Sequence, residues 1–332
     1  MGVSIYCNLC KENRLLKKFN FKEKNIPMRK NKILSLLVLV LAVGSMTFAA
    51  FGQKAKAKTK PKPIIFAVLN DGKMIEPIAQ VEKNKLTRAV GGDATTEKKK
   101  SFTDAFYKSK VLYRLIFGGK DNGAVKVESF NPNADCSSNM AQVRVSTRRV
   151  KLRGFVMGLA TDMASKKPGS GVRRLPSAAE RLEIDNLVKK EFAKNKIAKN
   201  AIAKRKYHNL TAIDVDNDGT AELVGTFYVP ISAKERGLLF FIAQEGENGN
   251  YYFSYSEFSR MKDSDVMSGE ISALDDGIYH ELLLDVLDYD GDGVGEIFTI
   301  TQGFEGNNFT VYKKDGKKWA KVFAGSNYHC GY

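Results

Sequence analysis

Residues 210–229 read LTAIDVDNDGTAELVGTFYV, and residues 283–300 read LLDVLDYDGDGVGEIFTI. Aspartate alternates three times in each, as Asp214, Asp216 and Asp218 and again as Asp288, Asp290 and Asp292. A glycine follows, Gly219 or Gly293, and a glutamate closes the run, Glu222 or Glu296. Alternate residues of a tightly curled loop turn their carboxylates toward one centre. Ca2+ asks for such a cage, with about six to eight oxygens at ~2.3 to 2.6 Å. The glycine permits a turn that a side chain would obstruct. The backbone carbonyls of Thr220 and Val294 are the expected seventh-position ligands, and Glu222 and Glu296 the ninth. Carboxylates crowded together without a cation repel one another, so the pattern itself argues for metal. Mg2+ suits it less, because that ion prefers a small octahedral shell with retained water. Two calcium sites are therefore expected.

The residues around the loops are β-branched or aromatic, which predicts strands on both sides. After the first loop, strands are expected over 237–244 and 251–258 around Glu247-Asn248-Gly249. After the second they are expected over 309–313 and 319–323 around Asp315-Gly316. Each unit is then strand, acidic loop, strand, hairpin, which is the strand count of one propeller blade. An EF-hand would need a bidentate carboxylate at position twelve, where Gly225 and Thr299 stand. Over 214–223 and 288–297 the chain instead resembles the calcium loop of FG-GAP and VCBS repeats, the blades of integrin-type β-propellers. The family's ninth position is more often Asp than Glu. The two loops also start 74 residues apart, at Asp214 and Asp288, which implies an insertion around 260–278. The resemblance implies a mainly β, propeller-like fold, or repeated four-stranded antiparallel units with one helical insertion.

Upstream, residues 64–164 read as an N-terminal β region. Strands are expected over 64–69, 111–117, 124–130 and 140–145, and turns at Asp71-Gly72, Gly91-Gly92 and Asp121-Asn122-Gly123. A short helix is possible near Ser101 to Tyr107. These strands, with Phe117-Gly118-Gly119, could be degenerate blades without metal. Residues 165–206 form a basic loop and a helical insertion. Ser177 and Glu180 make a capping box with Pro176 just outside it, and Ile184, Leu187, Val188 and Phe192 form one apolar stripe. Two calcium-binding units then fill 207–332.

The N-terminus carries a compartment signal. Arg29, Lys30 and Lys32 precede an apolar run over 33–51, and the run ends in small residues. That order reads as a secretory signal within 1–52; a membrane anchor is the alternative, since the run approaches the ~20 residues a span requires. Cys7 and Cys10 lie upstream of it. Removing residues 1–52 takes away nine Lys or Arg and two Asp or Glu, so the net charge falls from +16 to about +9. Residues 53–63 are a Lys/Pro-rich linker with Lys54, Lys56, Lys58, Lys60 and Lys62. Cys136 and Cys330 remain, and in an oxidising compartment two cysteines are most simply one disulfide.

Three histidines occur, His208, His280 and His329, with no His-Glu-x-x-His, Gly-x-Ser-x-Gly or phosphate-cradling motif. His280-Glu281 opens an apolar run, where a general base and a structural edge residue are both conceivable. The reading is an exported protein, secreted, periplasmic or at the cell surface. It would act as a monomer and a non-catalytic binding or adhesion module for an extracellular glycan or protein. A hydrolase or lyase on polysaccharide or phosphoester is one alternative. A polyanion binder using Lys54 to Lys62, Arg144 to Arg153 and Arg173-Arg174 is another; nucleic acid is not an expected partner.

Overall fold

The computed structural model describes residues 61–91, 93–108, 111–164 and 172–330. Residues 1–60, where the secretory signal and most of the linker are expected, and residues 165–171 of the expected basic loop lie outside these residues. In chain order the strands begin with β1 (Ile64–Leu69), β2 (Met74–Glu82), β3 (Lys85–Arg88), β4 (Leu112–Phe117), β5 (Lys120–Phe130), β6 (Ala141–Ser146) and β7 (Gly158–Thr161). Helix α1 (Thr96–Phe106) follows β3. β1, β7, β4, β5, β6 and β2 pair in that order, and β2 pairs back onto β1, which closes a six-stranded barrel with β3 appended. The N-terminal region is thus a barrel, not a set of degenerate blades.

β1 is buried along its whole length, because its two faces serve two cores. Ile64, Phe66 and Val68 join Phe102, Phe106, Tyr107, Tyr113 and Leu115 in one cluster. Ile65, Ala67 and Leu69 pack with Leu282, Leu284, Phe298 and Phe309 of the C-terminal region in another. The hairpin between β4 and β5 turns at Gly118 and Gly119, both with positive φ (65° and 71°). Two such residues make the tight turn whose twist suits paired strands. The turn expected at Asp121-Asn122-Gly123 is therefore displaced, and those residues lie inside β5.

After β8 (Arg173–Arg174) come α2 (Ala178–Lys194) and α3 (Lys199–Ile202). The capping box of Ser177 and Glu180 is present, and Ile184, Val188 and Phe192 are buried as the stripe requires. The strands β9 (Lys206–Ile213), β10 (Glu222–Ser232), β11 (Glu235–Glu245) and β12 (Tyr251–Lys262) then form an antiparallel meander, with β8 on its edge. A connection containing α4 (Ser272–Asp275) leads to a second meander. It consists of β13 (Glu281–Leu287), β14 (Glu296–Gln302), β15 (Gly306–Asp315) and β16 (Lys318–Tyr328).

The expected pair of four-stranded antiparallel units is therefore present. One face of the first meander packs on α2 and α3 through Leu210, Leu223 and Phe241. Its other face meets the second meander through Ile213, Val224, Phe240, Ile297, Tyr312 and Trp319. The layers run barrel, second meander, first meander, helices. Cys136 and Cys330 form the expected disulfide, with Cα atoms 5.6 Å apart.

Candidate metal centres

Each acidic loop joins the first two strands of its meander, β9 to β10 and β13 to β14. Equivalent residues make equivalent hydrogen bonds. The Gly219 amide donates to Asp214 Oδ2 at 3.2 Å, and the Gly293 amide to Asp288 Oδ2 at 3.1 Å. The Asp218 and Asp292 amides donate to Asp216 Oδ1 (3.4 Å) and Asp290 Oδ1 (3.3 Å). Those of Thr220 and Val294 donate to Asp218 Oδ1 (2.7 Å) and Asp292 Oδ1 (2.9 Å). Finally, Val215 and Tyr289 each donate a backbone N–H, at 3.2 Å, to Oε2 of the closing Glu222 or Glu296. The left-handed backbone falls at matching places too, Asn217 with Gly291 and Gly219 with Gly293.

The carboxylates converge. One oxygen from each of Asp214, Asp216 and Asp218 lies within 4.8 Å of the others, as does one from each of Asp288, Asp290 and Glu296. Both groups could hold a metal ion. Glu222 and Asp292 fall outside these groups, and Asp214 Oδ1 is buried without a hydrogen-bond partner among the described residues. The loops also touch: the Gly295 amide donates to the Val215 carbonyl at 2.7 Å. A Cβ at position 295 would stand 3.3 Å from that oxygen, so glycine suits the approach.

Sequence reasoning missed two residues here. Lys313 and Lys314 are neighbours on β15, and a strand sends neighbours to opposite faces. Lys313 Nζ reaches Asp290 (2.5 Å), Asp292 (2.6 Å) and Glu296 (2.9 Å) of the second loop. Lys314 Nζ reaches Asp216 (2.8 Å) and Glu222 (3.2 Å) of the first. Burial pulls both ammonium groups toward neutrality, but the carboxylates prevail and raise them. Burial pushes Glu222 and Glu296 up to about 7, against the pull of the lysines and with the help of Asp216 and Asp290. Nothing local in the sequence links a lysine pair on a later strand to both loops.

Comparison with protein-family models, with curated proteins and with solved structures finds no match. The site is therefore read from its own chemistry. Of the basic residues considered for polyanion binding, several form ion pairs with carboxylates of the same chain. Arg173 is buried and pairs with the fully buried Asp285 at 2.9 Å, and Arg174 grips both oxygens of Glu180 at 2.7 Å. Arg148, Arg149, Lys151 and Arg153 are exposed and follow the end of β6 in an irregular segment.

Proposed function

We propose that the two acidic loops bind Ca2+ and that the chain is an exported, calcium-stabilised β protein acting as a non-catalytic binding or adhesion module. The observation that carries the reading is the repetition itself. Two loops of one spacing occupy one place in two meanders, with four pairs of matching backbone-to-carboxylate hydrogen bonds. A solvated acidic turn would have no reason to recur so closely. The donors are hard oxygens, which favour calcium over softer-ligand metals, and the orphaned Asp214 Oδ1 gains a partner when a cation enters. On this reading the meanders are divergent FG-GAP/VCBS-type units, and export places them in the calcium-rich, oxidising setting that the Cys136–Cys330 disulfide also suits.

A calcium titration with thermal melting tests the proposal. Binding to the folded state alone raises the melting temperature with free calcium, by the equivalent of about 2.7 kcal/mol at one hundred times Kd. A melting temperature indifferent to millimolar calcium and to chelator, with no calcium retained by the purified protein, would sink it.

A further inference from the structure

Residues 144–153 read RVSTRRVKLR, with five basic residues and no acidic one. The stretch begins in β6 and runs on toward β7. Val150 and Leu152 are half-buried and pack, with Val145, against the barrel core. Arg149, Lys151 and Arg153 alternate with them and are exposed, as is Arg148. Such alternation turns every second side chain to one side, with roughly 6 to 7 Å between neighbours in the row. A tight turn closes the far end, where the backbones of Arg153 and Val156 exchange hydrogen bonds of 3.1 and 3.0 Å. Gly154 sits in that turn with a φ of 57°, and its amide donates to Asp71 Oδ1 at 2.9 Å. The backbone that carries the cations is thus fixed before a partner arrives, which lowers the ordering cost of binding.

The surrounding charges leave this loop positive. Asp121 pairs with Arg114 at 2.8 Å and Glu128 with Arg144 at 2.8 Å; among the described residues no carboxylate pairs with Arg148, Arg149, Lys151 or Arg153. Arg148 and Arg149 line an open groove of about 570 Å³ together with Asn122, Ser146 and Thr147. Amide and hydroxyl groups there complement the guanidinium forks with neutral hydrogen-bonding partners.

We infer that this loop and groove bind an acidic polysaccharide, whose carboxylate or sulfate groups meet Arg148, Arg149, Lys151 and Arg153. A row of cations matches an anion that repeats along a chain, whereas a single small anion gains little from any one exposed pair. Three of the four are arginines, whose planar fork takes two oxygens of one anionic group. A single nucleic-acid strand asks for aromatic platforms under its bases, and the exposed tyrosines of the described residues, Tyr207 and Tyr328, belong to β9 and β16. An anionic membrane holds a basic patch firmly only with an apolar or acyl anchor beside it, and Val156 is the loop's one exposed large apolar side chain. The choice of a glycan rests on the exported binding module proposed above; the cationic surface does not depend on metal in the acidic loops.

Calorimetric titration of the full chain with a heparin oligosaccharide tests the inference, with phosphatidylserine vesicles and an oligothymidylate as rival probes. Working in chelator keeps the result apart from the calcium reading, which the melting curves decide. We expect heparin to bind with an affinity that falls steeply with salt. Arg148→Ser, Arg149→Ser, Lys151→Ser and Arg153→Ser together should lower that affinity about a hundredfold at low salt, an average of about threefold per exposed ion pair. They should also flatten the log–log salt slope by about three, at an unchanged melting temperature. Should the fourfold variant melt early, Arg148→Ser with Arg149→Ser decides, with an expected loss of about tenfold. Serine at Lys54, Lys56, Lys58 and Lys60 of the linker should leave most of the binding in place. Failure to bind heparin overturns the inference, and so does full binding in a well-folded loop variant. Loop-dependent binding that is tighter to vesicles or oligothymidylate than to heparin, or binding lost with the linker lysines instead, overturns it as well.

Discussion

Asp285 has no exposed surface, and a carboxylate there must find donors to replace water. It finds the amides of Gly118 (3.1 Å), Gly119 (2.9 Å) and Val286 (2.8 Å) and the Arg173 guanidinium (2.9 Å). A β-bulge between Leu283 and Asp285 re-aims the side chain toward the barrel hairpin. In the sequence this aspartate hides inside an apolar strand, and three of the four partners that keep it there are more than a hundred residues away. Asp285→Ala strands the Arg173 charge, so chemical denaturation is expected to show a loss of about 3 to 5 kcal/mol. Replacing both partners, as Arg173→Met with Asp285→Leu, should recover much of that loss. Glu222 and Glu296 carry the pH dependence of the loops. Folding raises them from 4.5 to about 7, so the unfolded chain gives up those protons first. Their stabilising contribution is complete below about pH 4.5 and is lost as pH rises to about 7. A bound cation has the opposite preference, because it takes the ionised carboxylates. The melting increment from calcium should therefore be larger at pH 8 than at pH 5. Groups outside the loops, such as His280 with its opposite slope between about 3 and 6.5, cancel in the difference between calcium and chelator. An increment that does not change with pH would remove these two glutamates from the site.

Elements were legible where the signal is local. The acidic loops, the capped helix and the two meanders follow from spacings of a few residues, and β1 matches its apolar run to the residue. β2 was not legible, because Pro77 and the buried Glu76 disguise it. β7 is a four-residue strand that begins with glycine. Barrel closure depends on the long-range pairings of β1 with β7 and of β2 with β6, and no repeat announces them. The placement of β15 is another long-range fact, and it sends one lysine into each acidic loop. On the calcium reading these ammonium groups act as resident competitors that hold the empty loops together. Lys313→Met with Lys314→Met is then expected to lower the melting temperature in chelator. The same change should tighten calcium binding by roughly three- to tenfold per site, the range for a partly screened ion pair. Calorimetric titration reads the second effect. Weaker calcium binding in the double variant would mean that the lysines belong to the binding-competent loop.

Across the whole molecule, the disulfide joins the connection after β5 to the residues after β16, across a sequence separation of 194. The chain-entropy model assigns a crosslink of that span about 5 kcal/mol. A second tie bridges the same two regions. Glu76 of β2 accepts from Asn307 Nδ2 (2.6 Å) and Asn327 Nδ2 (2.7 Å) and pairs with His329 Nε2 at 2.7 Å. Asn139 Nδ2 in turn donates to Asn327 Oδ1 at 2.8 Å. This buried network holds the C-terminal strand against the barrel in the native state, but it exerts no constraint on the unfolded chain, whereas the covalent bond does both. Cys136→Ser with Cys330→Ser is therefore expected to keep the fold and lose about 2 to 5 kcal/mol on denaturant unfolding. The loss should appear with a larger denaturant slope, since an uncrosslinked chain exposes more surface when it unfolds. Removing Asn327 in that background, as Asn327→Ala, weakens the remaining tie by taking away its bonds to Glu76 and Asn139. If the two ties share one job, the combined loss exceeds the sum of the separate ones; strict additivity would mean that they stabilise the molecule independently.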